Sequence, residues 1–178
     1  VGSEMCIRDS GGLDILVNNA SRQIWHDGIE EISDEDFDKT MKSNIYSSFR
    51  VTKAAVTHMK PGSSIIFTSS IQAYEPSETL LDYALTKAAM NNFSKGLAQD
   101  LTPKGIRVNA VAPGPFWTPL QPSHGQPTEK LTQFGQDTPV GRAGQPVEIA
   151  GAYVFLASDE ASYVSGETLG LTGGRPTP

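Results

Sequence analysis

The chain has 178 residues, 38% of them hydrophobic and 19% charged, which is enough for one domain with a core and too few for two ordinary ones. Its net charge of -6 offers no electrostatic reason to bind nucleic acid or an anionic membrane, and no apolar run approaches the ~20 residues of a membrane span. The single cysteine and three widely spaced histidines predict neither an internal disulfide nor a metal site, and we expect a cytoplasmic protein.

Residues 1–10 are predicted not to belong to the protein. They resemble, letter for letter, the translation of a common transposase-based sequencing adapter, and such a segment is excluded from fold reasoning. A natural, irregular N-terminus is the alternative. Native sequence is then expected in residues 11–178, beginning inside a domain, because an apolar run at residues 13–17 already predicts a buried strand.

Strand and helix patterns alternate along the rest of the chain. Strands are predicted at residues 13–17, 64–69, 106–111 and 167–172. Long helices are predicted from about residue 34 to residue 60 and from residue 80 to residue 101, and a shorter helix begins at Pro146. This order predicts an α/β fold in which a parallel sheet carries helices on both faces.

Each long helix has an apolar stripe that is predicted to face the core. The stripes are Phe37, Met41, Ile45 and Phe49 in the first helix, and Leu85, Ala89, Phe93, Leu97 and Leu101 in the second. Residues 115–145 are rich in Pro, Gly, Gln and Thr and show no period. Long irregular segments in compact domains are often functional, so a lid over a site is predicted there.

Tyr83 and Lys87 are the first candidate catalytic pair. They are four residues apart and share one face of the second helix. A nearby ammonium favours the phenolate, so Lys87 is expected to lower the pKa of Tyr83 toward the range of a general base. The alternative is a solvated pair on an exposed helix, because a chance Tyr-x-x-x-Lys is common.

Polar or backbone-exposing residues follow three predicted strands. They are Asn18-Asn19 after the first strand, Ser69-Ser70 after the second and Pro113-Gly114 after the third. Parallel strands bring these ends to one sheet edge, which is where α/β proteins bind ligands. An ordinary strand-to-helix turn would explain any one of these three pairs. Because all three lie at one sheet edge, with Tyr83 beside them, they predict a ligand-binding site there.

Together these residues resemble the short-chain dehydrogenase/reductase family, over residues 13–174. The matching motifs are Asn18-Asn19-Ala20, Asn44, Ser70, Tyr83-x-x-x-Lys87, the segment from Pro113-Gly114 to Thr118, and Gly173-Gly174. The resemblance implies a Rossmann-like, doubly wound parallel sheet, truncated here to its second half, because the family's glycine-rich pyrophosphate turn is missing. It implies NAD or NADP as cofactor, without distinguishing the two.

The resemblance also implies the roles of the catalytic residues. Tyr83 is the general acid/base, Lys87 lowers its pKa and holds the nicotinamide ribose, and Ser70 orients the substrate oxygen. Asn44 lies in a helix distortion and fixes a water of the proton relay. On the cofactor, Asn18 and Ala20 lie along the adenosine, while Pro113, Gly114, Phe116 and Thr118 hold the nicotinamide carboxamide. Ser21 departs from the glycine usual after Asn-Asn-Ala.

Substrate contacts are expected on the loops that follow the motifs. The candidates are Gln72, Tyr74, Trp117, Leu120 and His124, although Trp117 could equally be a lid-packing residue. The predicted activity is hydride transfer between nicotinamide and a small alcohol, sugar or carbonyl; an epimerase or dehydratase, or a non-catalytic relative, is the alternative. The intact parent is expected to be a homotetramer, and the 178-residue chain to have negligible activity.

Overall fold

The computed structural model describes residues 11–176, apart from the His124 side chain. Residues 1–10, with their predicted adapter origin and Cys6, lie outside that range. One parallel sheet runs in the order β1-β2-β3-β4, so the predicted α/β fold is confirmed. The strands are β1 (Ile15–Asn18), β2 (Ser64–Thr68), β3 (Arg107–Pro113) and β4 (Thr168–Leu171), each bound lying within two residues of the prediction.

The helices connect successive strands. They are α1 (Asp34–Met41), a π-helical turn (Lys42–Tyr46), α2 (Ser47–Val56), α3 (Leu81–Leu101) and α4 (Pro146–Ala157). The first helix starts as predicted, because the Ser33 hydroxyl accepts the Asp36 N–H at 3.1 Å. The predicted end of this helical segment at residue 60 was wrong, because α2 ends at Val56.

Core side chains fill both faces of the central strands, whereas the predicted burial of the first strand was wrong, since Ile15 and Val17 at the sheet edge are 47% and 43% exposed. On one face Phe67, Val108 and Leu101 belong to a cluster that α2 and α3 cover. On the other, Ile66, Val111 and Leu156 pack beneath α4. No helix within residues 11–176 combines the length and the apolarity that a bilayer crossing would need.

The predicted burial of the apolar stripes was wrong for part of each long helix, although Leu101 is buried and Phe93 and Leu97 pack against the core. Phe37, Phe49 and Leu85 are 41%, 49% and 49% exposed, respectively. The buried faces also carry polar side chains, among them Thr40 and Asp82, whose side chains form a 2.7 Å hydrogen bond between α1 and α3. Small hydrogen-bonded groups let these segments approach closely, and pairing removes most of the cost of burying them.

Candidate active site

A cavity of about 510 Å³ lies at the carboxyl ends of the strands, beside the first turns of α3. The register aligns Asn18 with Phe67 and Thr68 with Val111, so β1, β2 and β3 reach this edge together. Most predicted site residues line the cavity: Ala20, Ser70, Gln72, Tyr83, Lys87, Pro113, Gly114, Phe116 and Thr118. A cavity of this size suits a small-molecule ligand.

Tyr83 stands in the first turn of α3 and is almost fully buried. Its N–H donates to the Asp82 carboxylate at 2.8 Å, and its carbonyl accepts the Thr86 hydroxyl at 2.7 Å, so two bonds fix its backbone. Burial raises the pKa of Tyr83 to about 12, and a hydrogen bond from the neighbouring Ser70 side chain opposes that rise. Ser70 and Tyr83 are therefore adjacent, as the sequence predicted.

Lys87 lies one turn further along α3 and is only 1% exposed. Its Nζ donates to the Thr68 carbonyl at 2.7 Å and lies 5.3 Å from the centroid of the Tyr83 ring. Burial lowers the pKa of Lys87 to about 7. The pKa of Tyr83 is thus raised overall and not lowered as predicted, because desolvation disfavours the charged phenolate and outweighs the hydrogen bond from Ser70.

Thr68 connects three elements at the floor of the cavity. Its hydroxyl donates to Asn19 Oδ1 at 2.9 Å and shares a 2.7 Å hydrogen bond with the Tyr153 hydroxyl of α4. Asn19 and Tyr153 both line the cavity, and neither was among the predicted site residues. The sequence offered a signal for Asn19, which follows β1, but none for Tyr153, which sits in an apolar helix.

Asn18 lies outside the cavity lining. Its side-chain amide donates to the Thr52 hydroxyl of α2 at 3.0 Å, and the residue is buried. Side chains alternate between the two sides of a strand, so Asn18 and Asn19 face opposite ways. The predicted cofactor contact at Asn18 therefore has no support in the structure, whereas Ala20 does line the cavity.

Asn44 occupies the π turn, which is the helix distortion that the family resemblance implied. Its side chain is fully buried and lies outside the cavity lining. Its Oδ1 accepts the Arg22 N–H at 2.7 Å, while its Nδ2 donates to the Arg22 carbonyl at 2.9 Å and to the Thr86 hydroxyl at 3.0 Å. Asn44 therefore joins the loop after β1 to α3, and its contact with a water of the proton relay stays a prediction.

The predicted substrate contacts are only partly brought together. Gln72 lines the cavity, and so does Leu120. Tyr74 is not in the lining, because its hydroxyl accepts the Asn91 side-chain amide at 2.8 Å. Trp117 is also outside the lining, 41% exposed and 6.2 Å from the Phe134 ring, which agrees with the lid-packing alternative. The His124 side chain lies outside the described residues.

Comparison with known proteins shows the family to which the chain belongs. The model described as enoyl-(acyl carrier protein) reductase matches residues 4–175. A double mutant of a Serratia marcescens short-chain dehydrogenase/reductase superposes with a TM-score of 0.85 at 37% identity, covering 96% of this chain and 69% of that one. The chain belongs to the short-chain dehydrogenase/reductase family.

Further relatives of this family are similar over most of the chain. General stress protein 39 of Bacillus subtilis is 54% identical, with 96% of this chain and 59% of that protein covered. Glucose and ribitol dehydrogenase of Daucus carota is 49% identical over 92% of this chain and 56% of its own length. A Burkholderia cenocepacia short-chain dehydrogenase in complex with NADP has a TM-score of 0.86 at 30% identity, and the match covers 96% of this chain and 69% of that one. The chain thus spans little more than half the length of these curated relatives.

The short-chain dehydrogenase/reductase cavity is closed on one side by residues 115–145, the predicted lid. Two contacts hold this segment to the loop after β1. Gln23 Nε2 donates to the Gly125 carbonyl at 2.7 Å, and Lys130 Nζ lies 4.1 Å from the centroid of the Trp25 ring.

Within residues 11–176 no three His, Cys, Asp or Glu side chains are grouped to hold a metal ion.

Proposed function

We propose that the whole protein is an NAD(P)-dependent oxidoreductase that transfers a hydride between nicotinamide and a CH–OH or carbonyl group of a small alcohol, sugar or carbonyl compound. The observation that carries this proposal is the convergence of Ser70, Tyr83 and Lys87 in one cavity at the carboxyl edge of a parallel sheet. The relative named glucose and ribitol dehydrogenase and the neighbour in complex with NADP support it.

The residues of the cavity fit a nicotinamide cofactor. The Ser21 hydroxyl is buried in the cavity wall and has no hydrogen-bond partner among residues 11–176, so a polar ligand group would satisfy it. Ala20 would lie along the adenosine, Lys87 would hold the nicotinamide ribose, and the segment from Pro113 to Thr118 would hold the carboxamide. When bound, the nicotinamide supplies or accepts the hydride.

The chain's own residues would move the proton. A substrate carbonyl oxygen that reached both hydroxyls would accept hydrogen bonds from Ser70 and Tyr83, which stabilise the charge that develops there. Because burial raises the pKa of Tyr83 to about 12, the phenol is protonated at neutral pH and ready to donate in the reductive direction. In oxidation Tyr83 would have to lose that proton, and a cationic Lys87 would favour the loss.

The experiment uses a chimera in which residues 11–178 replace the corresponding part of General stress protein 39. We expect alcohol oxidation with NAD or NADP, and we expect Tyr83→Phe to lower kcat by about 10²–10⁴-fold, the usual contribution of a positioned acid/base. Tyr74→Phe is the matched control, because that hydroxyl bonds Asn91 outside the cavity. Undiminished turnover in Tyr83→Phe would remove the acid/base role.

We further propose that the 178-residue chain alone has negligible turnover. Its sequence contains no glycine-rich turn that could cradle a pyrophosphate, and Ile15 and Val17 of the edge strand β1 are 47% and 43% exposed. NADPH oxidation by the purified chain is the measurement, with the chimera as positive control. Turnover within tenfold of the chimera's would contradict this proposal.

The homotetramer expected from the family resemblance remains a proposal. Apolar side chains of the two long helices line an exposed groove of about 460 Å³, with Ile45, Phe49 and Phe93 among them. Burying such a surface against a second copy would recover hydrophobic free energy. Light scattering on the chimera would report its mass, and a monomer at micromolar concentration would contradict the proposal.

A further inference from the structure

Four glutamines line the cavity, and three of them, other than Gln126, come from three separate segments and are anchored by the protein. Gln23 follows β1, Gln72 follows β2, and Gln121 belongs to the lid. Each amide is held at one end by the protein. Gln23 Nε2 donates to the Gly125 carbonyl at 2.7 Å, Gln72 Oε1 accepts the Ser77 N–H at 2.7 Å, and Gln121 Oε1 accepts the Thr118 N–H at 3.0 Å.

Holding one end of an amide fixes what its other end can offer. A glutamine has one carbonyl acceptor and an NH₂ group with two donors. Gln23 therefore retains its acceptor, while Gln72 and Gln121 retain their donors, since no protein partner for these atoms occurs within residues 11–176. A ligand meets groups whose orientation is already set, so it loses less entropy on binding.

The charges around the cavity favour an uncharged ligand. Among the described lining residues there is no Asp or Glu, and the cations are Lys87 and Arg175. The Arg175 guanidinium is paired with the Asp137 carboxylate, and Lys87 donates to the Thr68 carbonyl. An anionic substrate would find no free counterion away from the catalytic pair, and an entirely apolar one would leave the amides unpaired.

We propose that Gln23, Gln72 and Gln121 form an uncharged amide wall that selects a neutral substrate with several hydroxyl groups, a sugar or polyol. A hydroxyl both donates and accepts, so it can pair with the free acceptor and with the free donors. Sites built to hydrogen-bond a substrate hydroxyl discriminate strongly against analogues that lack it. This proposal rests on the proposed function, because it describes the substrate end of the same cavity.

The first test measures binding to the 178-residue chain by saturation-transfer NMR. Ribitol is the polyol probe, cyclohexanol the apolar alcohol and gluconate the anion. We expect ribitol to bind at least about fivefold more tightly than the other two, and Gln72→Met or Gln121→Met to weaken it about 3–10-fold, as the loss of one hydrogen bond predicts. Gln99→Met is the control, because that glutamine is exposed on α3. Thermal unfolding of each variant verifies that it is folded.

The second test measures turnover of ribitol and cyclohexanol by the chimera. In Gln72→Met and Gln121→Met we expect the ratio of kcat/KM for ribitol to kcat/KM for cyclohexanol to fall about 3–10-fold. The ratio cancels any effect on the cofactor that follows from losing the bonds between Gln121 and Thr118. A chimera that oxidises both alcohols equally well, or variants that leave the ribitol preference intact, would overturn the amide wall. No turnover with any alcohol would count against the proposed function instead, and ribitol binding would then decide the amide wall by itself.

Discussion

Replacing Lys87 with methionine should stabilise the folded chain. Lys87 is 1% exposed, and its Nζ makes one hydrogen bond, to the Thr68 carbonyl, and a 3.8 Å contact with Met90 Sδ. Burial lowers the pKa of Lys87 from 10.5 to about 7. The folded chain therefore holds this proton less tightly than the unfolded chain does, and keeping the ammonium costs folding free energy.

The sign and size of the effect depend on pH. A base whose pKa falls on folding does not affect the free energy of unfolding above its unfolded pKa, here 10.5. Below that pH it lowers the free energy of unfolding by a growing amount until the pH reaches about 7, and by a constant amount at lower pH. A shift of this size corresponds to about 5 kcal/mol at 1.36 kcal/mol per pKa unit. Water entering the cavity reduces this cost of burying the ammonium. The loss of the hydrogen bond to Thr68 removes about 1 kcal/mol, so the expected net gain in stability from Lys87→Met is about 2–4 kcal/mol.

Urea unfolding at pH 6, 8 and 9.5 measures this gain as the difference between Lys87→Met and the unchanged chain. We expect the full gain at pH 6 and almost none at pH 9.5. Measurements stay below pH 10 because the Tyr83 phenol, with its pKa raised to about 12, lowers stability above that pH. Lys95→Met removes an exposed ammonium from the same helix and should change little. A pH-independent difference, or a loss at pH 6, would refute the reasoning.

Two further predictions concern positioning contacts. Asn44→Leu removes the side-chain hydrogen bonds to Arg22 and Thr86, and it should lower the free energy of unfolding in urea by about 2–4 kcal/mol because buried partners are left unsatisfied. A loss as small as that caused by the exposed Asn92→Leu would contradict this prediction. Arg142 makes two 2.7 Å hydrogen bonds to Glu148 and, with the Gln145 N–H, lowers the pKa of Glu148 to about 2. This ion pair therefore contributes stability above pH 4.5, and that contribution is lost as the pH falls toward 2. NMR titration should show the Glu148 pKa returning toward 4.5 in Arg142→Met, and an unchanged value would exclude Arg142 as its main cause.

The topology was predictable because it depends on local signals that agree with one another. Apolar runs gave all four strands within two residues, and the alternation with helices required parallel crossovers. Helix starts were equally local, since Ser33 and Pro146 begin helices by hydrogen-bond and backbone chemistry that the sequence displays.

The buried faces of the long helices were not predictable in the same way. Periodicity locates apolar side chains, but it cannot tell whether the polar face opposite has partners elsewhere in the chain. Thr40 and Asp82 are 42 residues apart, and their hydrogen bond exists only once α1 and α3 are packed together. Tertiary pairing thus buried polar side chains beside the apolar core residues of these helices and left Phe49 and Leu85 at the surface.

The cavity was predictable where strand ends define it and unpredictable where distant segments complete it. Ser70, Tyr83 and Lys87 follow from strand ends and motif spacing, and all three line the cavity. Tyr153 reaches it from a helix with no distinguishing pattern, and Gln121 from a segment with no period. Such contributions depend on crossing chain segments, which sequence spacing does not encode.

The raised pKa of Tyr83 beside the buried Lys87 follows from competition between desolvation and charge attraction. A cation 5.3 Å from a phenol ring favours the phenolate only while it remains charged, and the burial that surrounds Tyr83 also lowers the pKa of Lys87 to about 7. Near neutral pH the amine therefore changes charge while the phenol keeps its proton. A polar ligand beside Nζ that brings Lys87 back to its charged form would favour the phenolate of Tyr83, so under the proposed function ligand binding would assist the loss of the Tyr83 proton.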